Sequence, residues 1–198
     1  MRLILASASP RRAELLTMAG FRFDVQSADI DESVRPGEAA EDYVQRLAAG
    51  KARAVLDRTN EPGDDVLILG ADTTVVVDSE ILGKPEDDAD SARMVRLLAG
   101  RAHRVLTGVT LCSRSLQLDA VDETLVFFQP MSDDDVRWYV ASGEGRDKAG
   151  AYAIQGLAAR FIPRIDGSHS NVVGLPVAVV AELIGRAESR LRVLASRT

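Results

Sequence analysis

Val66-Leu67-Ile68-Leu69-Gly70-Ala71-Asp72-Thr73-Thr74-Val75-Val76-Val77 sets two apolar runs on either side of one carboxylate. Short runs this rich in β-branched residues read as buried strands. The pattern predicts strands over 66–69 and 73–78, with Gly70, Ala71 and Asp72 between them. Working back, 60–65 is a turn, and 38–56 carries an apolar stripe at helical spacing. Before it lie a polar loop over 27–37 and a strand in which Phe21, Phe23 and Val25 alternate with polar residues. The chain opens with a buried strand over 3–6 and a helix that starts at Ser9-Pro10 and stops at Gly20.

Working forward, a helix over 88–99 stops at Gly100, and two long strands over 103–112 and 116–128 form a hairpin. Ser132 caps a helix through Ala141, and a glycine-rich loop covers 143–156. A strand over 160–165, a loop over 167–174 and a helix from Pro176 complete the reading. Helical crossovers together with a hairpin define an α/β protein with a mixed sheet. No internal repeat, low-complexity tract or linker divides the 198 residues, so a single domain over 1–198 is expected, with a peripheral, solvated helix end over about 186–198.

Composition narrows the functional classes. The formal charge is −6, from 24 basic and 30 acidic residues, and this counts against a general nucleic-acid-binding surface. The single cysteine, Cys112, allows no internal disulfide and gives no zinc-ligand spacing, which fits a reducing compartment. Neither a signal-peptide core nor an apolar run of ~18 residues is present, so a cytoplasmic protein with no membrane partner is expected. Of the basic residues, 21 are Arg and only Lys51, Lys84 and Lys148 are Lys. Codon bias accounts for the arginines, and it marks each remaining lysine as a candidate for a site that needs a compact ammonium.

Ser7-Ala8-Ser9-Pro10-Arg11-Arg12 joins a strand to a helix, where free N–H groups and two arginines suit an anion. A capped helix with solvent-facing arginines is the plainer account. Counting in threes and fours from Val44 lands on Lys51, on the core side of its helix. Such a lysine either snorkels out or points into a cleft that holds an anion. Asp72, between apolar runs, is costly to bury unless it is paired, metal-bound or protonated; a turn aspartate is the alternative. Glu32 offers a second carboxylate, and two such groups plus water suit Mg²⁺. Lys84, in Gly83-Lys84-Pro85, is displayed at a turn. Gln155, between Gly150 and Gly156, has the donor and acceptor needed to read the edge of a base.

Other templates fail. Neither a Gly-x-x-x-x-Gly-Lys-Ser/Thr loop nor a Gly-x-Gly-x-x-Gly fingerprint occurs. His103, on a strand, reads as structural, and nothing specific supports a triad built from Ser168 or Ser170 beside His169.

The ordered motifs resemble the Maf family of nucleoside triphosphate pyrophosphatases. They are Leu5-Ala6-Ser7-Ala8-Ser9-Pro10-Arg11-Arg12, Lys51-Ala52, Gly70-Ala71-Asp72-Thr73, Gly83-Lys84-Pro85, His103 to Val109, Asp147-Lys148-Ala149-Gly150-Ala151-Tyr152, Ile154-Gln155-Gly156 and Asn171 to Pro176. The resemblance covers residues 3–184 and contains all three lysines.

The resemblance implies an inosine-triphosphatase-like α/β unit, a mixed twisted sheet flanked by helices with two lobes around a deep cleft. It implies hydrolysis of a small-molecule nucleoside triphosphate to monophosphate and pyrophosphate, with Mg²⁺ or Mn²⁺. By that similarity Asp72 is the proton acceptor, Glu32 and Asp72 hold the metal, and Lys51 and Lys84 steady phosphate oxygens. Ser9, Arg11, Arg12, Thr73, Lys148 and Gln155 complete the substrate-binding and specificity set. Arg11, Thr73 and Gln155 are similar to the subgroup that acts on dTTP and UTP, which implies a house-cleaning role in nucleotide metabolism. Action on CTP, a modified nucleotide or 7-methyl-GTP, and a non-enzymatic role in septum formation, are the alternatives. Homodimers are common in the family.

Overall fold

A computed structural model describes residues 1–59 and 66–195, and the turn expected over 60–65 lies outside the described residues. In chain order the elements are β1 (Arg2–Leu5), α1 (Pro10–Met18), β2 (Asp24–Val25), α2 (Ala40–Leu56), β3 (Val66–Val77), β4 (Glu80–Leu82) and α3 (Asp88–Leu98). They continue with β5 (Ala102–Cys112), β6 (Gln117–Phe127), α4 (Asp133–Ala141), β7 (Arg164–Asp166), α5 (His169–Val173) and α6 (Val177–Ala195). The strands form a mixed seven-stranded sheet in the order β2-β1-β3-β5-β6-β7, with β4 paired to β3.

By contact density the chain forms two compact units. The first comprises Met1–Asp72, Thr107–Asp122 and Gly174–Thr198. Here β1 pairs in parallel with β2 and with β3, in a register that sets Leu3 against Leu67 and Leu5 against both Leu69 and Val25. Parallel neighbours need crossovers, and α1 and α2 supply them. One sheet face buries Leu5, Leu69, Leu111 and Leu16 with Leu175, Val180 and Leu183, and the other buries Ile4, Ile68, Ala52, Val55 and Cys112. Alternate residues of β1 and β3 thus feed opposite cores, as the period of a strand requires.

The second unit comprises Thr73–Leu106 and Glu123–Val173. Its core gathers Val75, Val77, Leu82, Met94, Leu98, Val126, Tyr139, Tyr152 and Phe161. β3 turns back into β4 through Asp78 and Ser79, both at positive φ (52° and 89°), which is the twist a two-residue hairpin needs. Ser132 and Asp135 exchange reciprocal bonds at the start of α4 and so close a capping box.

Four expectations are corrected. β3 is one unbroken strand of twelve residues, and Gly70, Ala71 and Asp72 lie inside it. The half-buried strand expected through Phe21, Phe23 and Val25 is cut to β2, whose two residues are both exposed, and Phe21 and Phe23 pack against the core from the stretch before it. The strand expected over 160–165 is reduced to β7, because 157–161 coils into a short 3₁₀ turn. The loop expected over 167–174 contains α5, held by the buried Asn171, whose Nδ2 donates to Val105 O and Thr124 Oγ1 at 3.0 Å each. α6 runs to Ala195, with Ala187 fully buried, so its last turns begin as packed helix.

Candidate active site

Two glycines decide where α2 lies. A Cβ on Gly70 would fall 2.1 Å from Ala48 O, and one on Gly108 would fall 2.4 Å from Val44 O. Only a strand surface without side chains at those points lets the helix backbone approach that closely. With α2 pressed against β3 and β5, Lys51 is directed at the strand rather than at solvent.

Lys51 Nζ lies 2.6 Å from Asp72 Oδ1 and 2.6 Å from Glu32 Oε1. The Lys51 and Asp72 side chains are each 10% exposed, whereas that of Glu32 is 49% exposed, so one carboxylate is sunk and the other faces water. Burial pushes the Asp72 carboxyl above the ordinary 3.8, against the opposing pull of Lys51 and Arg12. The Glu32 backbone is tied to α2, where Tyr43 Oη donates to Glu32 O at 3.0 Å. Burial, with the charges of Asp72 and Glu32, pushes the Tyr43 phenol up to about 12. Next to Glu32, Arg46 Nη2 donates to Ser33 O at 3.0 Å while its fork grips Glu38 (Nε to Oε1 2.5 Å, Nη2 to Oε2 2.7 Å).

At α1, Pro10 occupies the first helical position and Ser9 precedes it, but the Ser9 hydroxyl makes no capping bond. Its N–H instead donates to Ser7 Oγ at 3.2 Å. The expected cap is therefore positional only, and the Ser9 side chain does not claim the first-turn N–H groups. The two arginines are not equivalent. Arg12 is tied down, Nε to Gly174 O at 2.8 Å and Nη1 to Ser7 Oγ at 3.0 Å, and it interacts electrostatically with Asp72 and Glu32. Arg11 makes no hydrogen bond or ion pair among the described residues.

Thr73, Lys84, Lys148 and Gln155 belong to the second unit. Lys84 is exposed on a turn pinned by the bond from Gly150 N to Gly83 O at 3.0 Å. Lys148 pairs with Asp147. Gly150 and Ala151 both sit at positive φ (68° and 57°), which folds the segment tightly under Val75. Gln155 is exposed, between Ala153 and Leu157, whose amides are both held by side chains. His103 is structural, as read: it is buried, with Nε2 2.8 Å from Tyr152 Oη. No sequence pattern marks Arg46, Tyr43, Tyr139 or Glu144 as functional; the only trace of the last is a carboxylate flanked by Gly143 and Gly145.

Among the described residues no three or more His, Cys, Asp or Glu side chains converge as a ready metal cage, and no helix is long and apolar enough to cross a membrane.

A mixed α/β sheet that buries a lysine-bridged carboxylate beside a helix N-terminus is a frame suited to phosphate chemistry. The chain belongs to the Maf-like protein family, which matches residues 2–187. A relative from Anaeromyxobacter sp. (strain Fw109-5), named dTTP/UTP pyrophosphatase, is 51% identical over 94% of this chain and 89% of its own length. Another of that name, from Shewanella oneidensis, is 50% identical over 94% and 98%. A third, from Geobacter sp. (strain M21), is 49% identical over 92% and 93%.

Proposed function

We propose that this chain is a nucleoside triphosphate diphosphatase that hydrolyses dTTP and UTP to the monophosphate and pyrophosphate. The observation that carries the reading is the single ammonium of Lys51 set between a buried and an accessible carboxylate. Relatives of about 50% identity that bear the name of this activity support the choice of substrate.

Water attacks the α-phosphorus, the α–β anhydride bond breaks and pyrophosphate leaves. Asp72 takes the proton of the attacking water. A carboxylate raised above the ordinary range by burial is a better base than a solvated one. Lys51 keeps Asp72 ionised and lies where phosphate oxygens would gain its charge. Arg11, Arg12, Ser9 and the uncapped first turn of α1 supply donors for the remaining oxygens. By the family resemblance, Lys84 and Lys148 are further candidates for phosphate contact, and Thr73 and Gln155 are candidates for base selection.

Glu32 and Asp72 are the carboxylates that would hold a divalent cation, through oxygens other than the two that the Lys51 ammonium already engages at 2.6 Å each. Hard cations that retain water and take phosphate ligands need few protein oxygens. When bound, such an ion neutralises phosphate charge and polarises the phosphoryl group. The same reading places the enzyme in the cytoplasm.

Pyrophosphate release is measured across dTTP, UTP, CTP, GTP and 7-methyl-GTP, with Mg²⁺, Mn²⁺ or chelator, for wild type and Asp72→Asn. Turnover centred on dTTP and UTP, abolished by chelator and cut by ~10²–10⁴-fold in the variant, is expected. Silence from well-folded protein, or an active Asp72→Asn, overturns the reading.

A further inference from the structure

Gln155 is exposed and sits in a glycine-flanked segment, a poor setting for a side chain that must discriminate between bases. Its backbone, however, is gripped on both sides. Upstream, Ala153 N donates to Tyr139 Oη at 3.2 Å. Downstream, Leu157 N donates to Glu144 Oε1 at 2.7 Å, and Ala158 N to Glu144 Oε2 at 3.3 Å. The two gripping groups are joined, since Tyr139 Oη donates to Glu144 Oε2 at 2.9 Å. The phenol is well buried, and burial with its bond to Glu144 raises its pKa, so it remains a neutral donor. Next to Gln155, a Cβ on Gly156 would fall 1.9 Å from Glu144 Oε1, so the carboxylate fills the space that any other residue would need.

We infer that Glu144 and Tyr139 are positioning residues for substrate selection: they fix the backbone on both sides of Gln155 and so set where its amide meets the base. The inference rests on the reading of Gln155 as a base-contacting residue. A charged acceptor that takes two backbone N–H bonds and one phenol bond is stronger than neutral equivalents, and it bridges a segment that has no strand or α-helix of its own. Three amides and two side chains therefore act as one clamp around residues 153–158, within reach of Gln155 but not through its side chain. Loosening the clamp leaves Gln155 in place chemically and lets its amide wander. A loosened site loses discrimination before it loses turnover, because rejecting the wrong base depends on fixed hydrogen-bond geometry.

The test compares kcat/KM for dTTP with that for CTP, in Mg²⁺, for wild type, Glu144→Gln, Glu144→Ala, Tyr139→Phe and Gln155→Ala. Thermal midpoints and amide exchange at Leu157 are measured alongside. Glu144→Ala and Tyr139→Phe should each lower the dTTP:CTP ratio by about tenfold, in the same direction as Gln155→Ala. Glu144→Gln keeps one acceptor and should lose less, and Leu157 exchange should quicken in step with the loss. If Glu144→Ala does not fold, Glu144→Gln and Tyr139→Phe carry the comparison. A ratio that moves in Gln155→Ala but stays within twofold in the Glu144 and Tyr139 variants overturns the clamp and leaves the base reading standing. A ratio unmoved by Gln155→Ala overturns that reading and the clamp with it. An equal fall for both nucleotides that tracks the thermal midpoint marks a purely structural role and overturns the inference.

Discussion

Lys51 Nζ and Asp72 Oδ1 are 2.6 Å apart, in a pair whose side chains are each only 10% exposed. The lysine therefore opposes burial in setting the charge state of the carboxylate beside it. Burial raises the Asp72 pKa above 3.8, and the charge and hydrogen bond of Lys51 lower it. Asp72 works as a base only when ionised, so activity should rise with pH as Asp72 loses its proton. Lys51→Met removes the lowering influence and should move that acid limb to higher pH. The ¹³C shift of the Asp72 carboxyl, followed against pH in both proteins, checks the assignment without turnover. An unmoved titration in Lys51→Met would remove the coupling.

The close approach of α2 to the sheet gives a second expectation. Gly70→Ala puts a methyl 2.1 Å from Ala48 O, and Gly108→Ala puts one 2.4 Å from Val44 O. Neither neighbour is a flexible tip, so the helix must lift. Overpacking of this kind costs ~1–3 kcal/mol. Because Lys51 rides on α2, each variant should lose activity beyond its loss of stability. Urea unfolding together with kcat at a temperature well below the midpoint separates the two.

His103 is buried against Phe128 and Tyr152, and burial pushes its pKa down to about 3 from 6.5. The unfolded chain therefore binds a proton that the folded one refuses. Its contribution to stability is complete above pH 6.5 and is lost progressively as the pH falls from 6.5 toward about 3. Within that window the slope from this one group is on the order of 1 kcal/mol per pH unit. His103→Gln should flatten it. Urea titrations from pH 4 to 8 on both proteins decide, and parallel curves would contradict it.

Arg46 joins Glu38 to Ser33 O, one residue beyond Glu32. The bond from Arg46 holds the Glu38 carboxyl down to about 2, so the pair stays ionised across the working range. Arg46→Lys keeps the charge but loses the fork. It should lower kcat/KM with little change in thermal midpoint, because the segment it steadies is mostly exposed. A fall in midpoint with unchanged kcat/KM would assign the pair to stability instead.

Much of this was legible in the sequence because it obeys a period. The helical stripe through Val44, Leu47 and Ala48 placed Lys51 on the core side, and its rarity among 21 arginines pointed the same way. The break expected at Gly70-Ala71-Asp72 was wrong because glycine weakens a strand on average, and its use here is to admit a helix backbone from another part of the chain. The 3₁₀ turn at 157–161 was invisible for a similar reason: two of its amides are claimed by Glu144, a partner no local pattern announces. α5 depends on Asn171 reaching Val105 and Thr124. Glu32 could be picked out as an acid in a polar loop, whereas the bond that ties its backbone to Tyr43, eleven positions away, could not. Periodic elements could be read; side-chain-to-backbone contacts across the chain could not.

Cys112 is packed among Ile4, Val55 and Ile68, and burial pushes its thiol up to about 11. At neutral pH almost none of it is thiolate, the form that reacts with oxidants and alkylating reagents. The native fold is thus effectively thiol-silent. A cysteine introduced on the exposed segment around Gln155 would be the one position a maleimide dye or spin label finds, with no need to remove the native cysteine first. The chain is already a background-free scaffold for reporting motion in the segment that Glu144 and Tyr139 hold.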